Sequence, residues 1–101
     1  MLENLVFTEL IKRGRKVFYH HGKNECDFIL DTGEAIQVTY EITDENRERE
    51  VKGLLEALKV YKLKKGVIIT YDQEMEINIQ NQKIQVIPAW KWMLRPRDKK
   101  L

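Results

Sequence analysis

Five polar side chains occur at alternating positions on two neighbouring stretches of the chain that each have the pattern of a β-strand. They are Glu25 and Asp27 on the first stretch and Gln37, Thr39 and Glu41 on the second. Alternate residues of a strand point to the same face of its sheet. Carboxylate and amide oxygens that converge from paired strands suit Mg²⁺, which could generate hydroxide and stabilise charge on a scissile phosphate. A polar, solvent-facing side of a half-exposed sheet is the alternative, and alternation alone favours it.

The turn between the two stretches decides whether these polar sets meet. A three-residue loop, Asp31-Thr32-Gly33, with Gly33 in the left-handed conformation is a common hairpin closure. A two-residue loop would instead turn Asp27 toward the apolar side, where a carboxylate is costly. The longer loop therefore predicts an apolar face that includes Cys26 as a small core residue, and it predicts the pairs Phe28–Ile36, Asp27–Gln37 and Glu25–Thr39.

The elements that must position these residues follow from hydrophobic spacing and turn residues. We predict a helix over 2–13, strands over 15–21, 25–30 and 34–42, a helix over about 44–64, a buried strand over 67–71, a hairpin over 75–79 and 83–87, and a short helix from Pro88. This order predicts an α/β fold with an α+β mixed sheet, in which three strands form an antiparallel meander and the long helix crosses over to the fourth. In the last helix, Trp90, Met93 and Leu94 are expected to cover the sheet and Trp92 to point elsewhere.

Length and charge place limits on the architecture. The 101 residues, 43% hydrophobic and 34% charged, suit one domain over 1–94 followed by a basic tail over 95–101. The net charge of +2 is segregated, since residues 24–50 hold nine acidic and two basic side chains whereas the flanking stretches are basic. Such a pattern is typical of metal-using nucleic-acid enzymes and equally of a solvated surface of mixed sign. The candidate phosphate contacts, which could equally complement a helix end, are Lys12, Arg13, Arg15, Lys16 and Lys23.

Several classes of protein are excluded by what the chain lacks. No apolar run approaches the ~20 residues that span a bilayer, and no signal peptide opens the chain, so we expect a cytoplasmic protein without a membrane partner. The single cysteine, Cys26, excludes an internal disulfide and a multi-thiolate metal site. His20 and His21 are adjacent on a strand and so face opposite ways, which prevents joint chelation. The richness in Lys and Glu is compatible with a thermophilic source.

Most of the chain resembles a known family. The resemblance rests on Leu2-Glu3-Asn4-Leu5-Val6-Phe7, Glu25-Cys26-Asp27-Phe28-Ile29, Ile36-Gln37-Val38-Thr39-Tyr40, Arg49-Glu50 and Ile87-Pro88-Ala89-Trp90-Lys91-Trp92. These motifs are similar to those of the nuclease-like domain at the C-terminus of prokaryotic, especially archaeal, AAA-type ATPases. The resemblance implies the α-β-β-β-α-β core of the PD-(D/E)XK (restriction-endonuclease-like) fold, related to Holliday junction resolvases, plus a C-terminal β-hairpin and short helix.

The resemblance also implies a site. Its metal ligands for Mg²⁺ or Mn²⁺ would be Glu3, with Glu9 as a substitute, then Asp27 and the residue at position 37. Two positions depart from the family pattern, because Gln37 replaces an acid and Thr39 replaces a lysine. Lys52 on the long helix is the candidate for a displaced lysine, and Glu41 for a displaced acid. The predicted catalytic set is therefore Glu3, Asp27, Gln37, Thr39 and Lys52.

Three functions follow from the resemblance and its departures. The leading hypothesis is a degenerate nuclease-like module that binds nucleic acid or regulates a partner, normally attached to an AAA-type ATPase. The first alternative is an active, metal-dependent, structure-selective DNA endonuclease, and the second is a structural interaction domain without nucleic-acid affinity. The implied partners are DNA and an ATPase domain of the same or a related chain, with a homodimer left open. The chain has no Gly-rich phosphate loop, so ATPase activity would belong to another segment.

Overall fold

A computed structural model describes residues 1–96 and gives six strands and three helices over that range. In chain order they are α1 (Leu2–Lys12), β1 (Val17–His21), β2 (Glu25–Leu30), β3 (Glu34–Val38), α2 (Arg47–Val60), β4 (Lys65–Thr70), β5 (Met75–Ile79), β6 (Gln82–Pro88) and α3 (Ala89–Met93). The predicted order of elements and the mixed α/β class are confirmed. Residues 97–101, most of the predicted basic tail, lie outside the described residues.

The strands form one mixed sheet in the order β1-β2-β3-β4-β6-β5. β1, β2 and β3 are antiparallel neighbours, β4 runs parallel to both β3 and β6, and β5 pairs antiparallel with β6 at the far edge. The helix α2 supplies the crossover from β3 to β4, as predicted. The turn between β5 and β6 has positive φ at Gln80 and Asn81, which matches the two-residue turn that a twisted hairpin prefers.

Apolar layers cover both faces of the sheet. On one face Leu54 and Leu58 of α2 pack over Ile68 of β4, and on the other Val6 and Leu10 of α1 pack with Ile69. Successive residues of β4 therefore alternate between the two layers, which explains its continuous apolar run. The alternative of a polar, solvent-facing side on β2 and β3 is wrong, because helices cover both faces of the sheet.

The C-terminal helix buries a different tryptophan from the one predicted. Trp92 is 3% exposed and packs with α1, whereas Trp90 is 60% exposed and Leu94 76% exposed. The guanidinium of Arg13 lies 5.1 Å from the Trp92 ring centroid and donates to the carbonyl of Met93 at 3.0 Å. This contact rotates α3 so that Ala89 and Trp92, three residues apart, face inward.

Candidate functional site

A bulge in β2 determines where the predicted acid lies. Phe18 of β1 pairs with Ile29 of β2, and His20 of β1 pairs with Cys26 of β2. One residue of β1 separates the two pairs, whereas two residues of β2, Asp27 and Phe28, separate them. β2 therefore holds one extra residue at Asp27–Phe28. The predicted pair Phe28–Ile36 is confirmed, with Gly33 at a φ of 94° in the loop. Beyond the bulge, alternation fails: Cys26 packs in the layer beneath α2, whereas Phe28 packs in the layer beneath α1.

The Asp27 carboxylate lies in the gap that opens between β2 and β3 after the bulge. Its Oδ2 accepts a hydrogen bond of 2.8 Å from the backbone N–H of Val38. Burial, reinforced by the charges of Glu3, Glu50 and Glu25, raises the pKa of Asp27 to about 6, against the opposing effect of that hydrogen bond. Asp27 is thus a half-buried acid surrounded by other acids.

Gln37 lies in the same gap, next to Asp27, but its amide bonds backbone groups and not the Asp27 carboxylate. Its Oε1 accepts from the backbone N–H of Asp27 at 2.9 Å, and its Nε2 donates to the carbonyls of Glu25 and Glu50 at 3.0 Å each. The side chain is 3% exposed, so these three bonds replace ladder contacts that the bulge removes. Gly53 permits this approach, because a Cβ there would collide with the Glu25 carbonyl oxygen and lie 2.5 Å from the Gln37 Nε2.

A second buried acid was missed by the sequence prediction. Glu50, in the first turn of α2, is 9% exposed, and burial followed by the charge of Glu3 raises its pKa, although the Arg49 guanidinium at 3.2 Å opposes the shift. Tyr19 was also missed; a hydrogen bond to Glu25 raises its pKa, and the charges of Asp27 and Glu3 add to the effect. We call the group Glu3, Asp27, Gln37 and Glu50 the Asp27 site.

The other predicted catalytic residues do not complete this site. The Thr39 hydroxyl contacts the Glu41 carbonyl at 3.3 Å, in the loop after β3. Lys52 is exposed and pairs with Glu48 at 2.8 Å, one turn earlier on α2. The substitute acid Glu9 pairs with Arg13 at 2.9 Å.

The fit to a divalent metal ion can be tested on the donor atoms themselves. Within residues 1–96, no three side chains of His, Cys, Asp or Glu are arranged so that they could hold an ion. The Gln37 amide oxygen, a predicted ligand, already accepts from the Asp27 N–H at 2.9 Å. The residues present therefore do not fit a metal site of the kind that the resemblance implies.

Of the predicted phosphate-binding residues, Lys23 is separated from the other four by β1. Lys16 precedes β1 and Lys23 follows it, so the strand separates them by about 20 Å. Lys12 is exposed at the end of α1, and the Arg13 side chain is 8% exposed and bonds the Met93 and Arg95 carbonyls. Arg15 is half-buried.

A buried histidine forms a second polar centre next to the turn of the β1–β2 hairpin, where His20 pairs with Cys26. His20 is 5% exposed; its Nε2 lies 2.6 Å from Glu56 Oε2 and its Nδ1 lies 2.9 Å from the Tyr61 hydroxyl. The other Glu56 oxygen accepts from the backbone and side-chain nitrogens of Asn24. Hydrogen bonds from His20 and then Asn24 lower the pKa of Glu56. We call His20, Asn24, Glu56 and Tyr61 the Glu56 network.

The two remaining single residues behave as predicted. Cys26 is fully buried, and that burial raises the pKa of its thiol to about 12, which makes it an inert core residue. His21, in contrast to His20, is exposed and lies 2.9 Å from Glu25. Of the helices in the described range, none has the length and apolar content needed to cross a membrane.

Comparison with known proteins gives one family and one relative. The family model described as "Domain of unknown function (DUF4143)" matches residues 1–92. The uncharacterized protein MJ1544 of Methanocaldococcus jannaschii is 40% identical over an alignment that covers 93% of this chain but 24% of the relative. The chain thus spans about a quarter of the length of that curated relative. No solved structure matches the chain.

Proposed function

The chain belongs to the DUF4143 family, and from that membership and the geometry of the Asp27 site we propose that it is a degenerate PD-(D/E)XK nuclease-like module. In this role it binds nucleic acid or a partner domain and does not cleave DNA. The resemblance in sequence motifs and the α-β-β-β-α-β order of elements support the fold assignment. Fold alone does not define activity, so the function must be argued from the site.

The hydrogen bonding of Gln37 is the observation that carries the proposal. This residue stands where the family pattern has an acidic ligand, yet all its polar atoms serve backbone groups of β2 and α2. A carboxylate could not donate to the Glu25 and Glu50 carbonyls, so the amide is needed for the fold. Gln37 therefore has a structural role in place of the metal-ligand role that the family pattern gives to this position.

Attachment to an AAA-type ATPase forms part of the proposal. It is supported by the resemblance and by the relative from Methanocaldococcus jannaschii, of which the matching segment is only 24%. A domain of this size, carried on a longer chain, would regulate the ATPase or connect it to its target. The ATPase domain of the same or a related chain is the partner that we propose.

A cleavage assay tests the proposal directly. We expect no cleavage of duplex, flap or four-way junction DNA above background in millimolar Mg²⁺ or Mn²⁺. Each substrate is compared with the Asp27→Ala variant and with a buffer control. Robust cleavage by the wild-type chain that disappears in Asp27→Ala would overturn the proposal.

The enzymatic alternative has one observation in its favour. Asp27 is a half-buried acid and Glu50 a buried one, and both have raised pKa values, although Arg49 lies 3.2 Å from Glu50. Such a pair could gain from a cation even though the donor set lacks metal-site geometry. Calorimetric titration with Mn²⁺ tests this point separately from cleavage. A binding heat that is present in the wild-type chain and absent in both Asp27→Asn and Glu50→Gln would favour the endonuclease.

Affinity for DNA separates the leading proposal from a purely structural domain. Binding through the exposed lysines should weaken as salt rises, because each phosphate contact releases a counterion. We expect a shallow salt slope, since Lys12 and Lys16 lie about one strand length from Lys23. Replacing all three lysines by Gln should remove that slope, while no DNA binding at low salt would favour the structural role.

A further inference from the structure

Two exposed tyrosines stack on each other where adjacent parallel strands end. Tyr40 follows β3 and Tyr71 follows β4; their ring centroids are 4.9 Å apart and their planes differ by 15°. The residues are 62% and 54% exposed, so each ring leaves much of its apolar surface in water. The carboxyl ends of parallel strands are where open α/β sheets present their ligand sites.

The loops that carry the tyrosines are fixed in place. The backbone N–H of Tyr71 donates to the carbonyl of Tyr40 at 3.0 Å. The Gln73 side-chain amide bonds both backbone polar groups of Ile42, as a neighbouring strand would. Its Oε1 accepts from the Ile42 N–H at 2.6 Å, and its Nε2 donates to the Ile42 carbonyl at 3.2 Å. Because these loops are already ordered, they lose little conformational entropy when a ligand binds to the exposed tyrosine rings.

The charges on these two loops are of one sign. Residues 39–46 and 71–74 hold no lysine or arginine. Their acidic residues, all exposed, are Glu41, Asp44, Glu45, Asp72 and Glu74. Of these, Glu74 pairs with Lys91 at 2.6 Å. A nucleic-acid phosphate would be repelled here, whereas a cation over an aromatic face is attracted by both the ring and the carboxylates.

We propose that the Tyr40–Tyr71 pair and its acidic loops, which we call the tyrosine platform, bind an arginine- or lysine-rich segment of a partner protein. One cationic side chain would lie over the tyrosine rings, and its neighbours would pair with Glu41 and Asp72. This inference rests on the proposed binding role of the domain and names the chemistry of its partner. It does not involve the Asp27 site.

The test uses the whole chain and a defined probe, a fluorescein-labelled peptide of about ten residues that alternates arginine and glycine. We expect salt-sensitive binding by fluorescence anisotropy, with ¹⁵N shift changes in loops 39–46 and 71–74. Tyr40→Ala and Tyr71→Ala should each weaken binding roughly three- to fivefold. Tyr40→Phe keeps the ring and should stay within about twofold, and the pair Glu41→Gln with Asp72→Asn should flatten the salt dependence.

A matched control removes an exposed ring elsewhere. Phe18 is 60% exposed on β1, and Phe18→Ala should leave peptide binding unchanged. The inference is overturned if the peptide fails to bind, if Phe18→Ala weakens binding as much as the tyrosine changes, or if labelled oligothymidylate binds through the tyrosines instead. Metal-dependent DNA cleavage would refute the proposed function alone, so the two failures are distinguishable.

Discussion

Asp27 and Glu56 both lie where α2 approaches the β1–β2 hairpin, yet their surroundings shift their pKa values in opposite directions. Glu56 accepts hydrogen bonds from His20 and from both nitrogens of Asn24, and its pKa is lowered. Asp27 accepts a hydrogen bond from the Val38 N–H, and its pKa is raised to about 6 by burial and by neighbouring carboxylates. The number of hydrogen bonds that neighbouring residues donate to a half-buried carboxylate decides whether its charged form stabilises or destabilises the fold.

The difference teaches what each centre is suited for. The Glu56 network is a closed set of polar groups that connects β1 to the end of α2. The Asp27 site keeps an excess of negative charge that its own residues leave uncompensated. Acids with pKa values perturbed in this way are typical of functional positions, and the amide of the neighbouring Gln37 bonds only backbone groups.

The largest effect is expected for Gln37→Glu, which restores the acid of the family pattern. The new carboxylate would face the Glu25 and Glu50 carbonyls without a proton to donate, and it would join two acids that already repel. We expect a loss of about 3 kcal/mol or more in the free energy of unfolding at pH 8, measured by urea denaturation.

The matched control for that change is Gln85→Glu. Gln85 is exposed on β6 and bonds Arg95, so an acid there should change stability by no more than about 0.5 kcal/mol. If Gln37→Glu is as stable as wild type and cleaves DNA, the amide is not structural and the contrast between the two centres fails.

A smaller loss is expected for His20→Ala, which opens the Glu56 network. The change leaves the Tyr61 hydroxyl and Glu56 without their shared partner and creates a cavity, so stability should fall by roughly 2–3 kcal/mol. His21→Ala, on the exposed neighbour, is the control and should be nearly neutral. Equal effects of the two changes would show that the Glu56 network contributes nothing as a unit.

The smallest effect is a gain, expected for Asp27→Asn. Because the folded pKa of Asp27 lies above its usual 3.8, the folded state binds more protons, and stability is lost as pH rises from about 4 to about 6. Asn still accepts from the Val38 N–H but carries no charge. After discounting for solvent screening, the variant should be more stable than wild type by about 1 kcal/mol at pH 8.

The pH profile provides the control for that gain. At pH 3 Asp27 is protonated in both states, so Asp27→Asn should match wild type there. Glu56 has the opposite sign: its contribution is present above its usual pKa of 4.5 and is lost as pH falls through its lowered folded value. A gain from Asp27→Asn that is equal at pH 3 and pH 8 would contradict the assigned cause.

Much of the fold could be predicted from the sequence, because local signals determined it. The Asp31-Thr32-Gly33 loop gave the β2–β3 register, and the bounds of β2 and β5 were predicted without error. The bulge could not be foreseen, since Asp27 and Phe28 are not residues that mark one, and a single inserted residue reverses every side chain before it. The Gln37 amide bonds backbone groups of β2 beside the bulge, an arrangement that alternation alone does not predict.

The candidate site was predicted less well than the fold. Asp27 was correctly placed among acids, but Glu50 was missed because the side of α2 that it occupies depends on how the helix docks at the end of β3. The roles of Trp90 and Trp92 were exchanged for a similar reason, as Arg13, distant in sequence, determines the rotation of α3. Contacts between residues remote in sequence leave no local pattern to detect.

The position of β4 has a consequence for how the chain folds. β1, β2 and β3 join through short turns, as do β5 and β6, so each half of the sheet forms from local contacts. β4 joins the two halves by parallel pairing, with β3 across the α2 crossover and with β6 across β5. Such non-local pairing is the slow step in sheet folding. A backbone cut between α2 and β4 would leave β4 attached to the β5–β6 hairpin and would separate it covalently from β3, so the β3–β4 pairing would then have to form between two fragments.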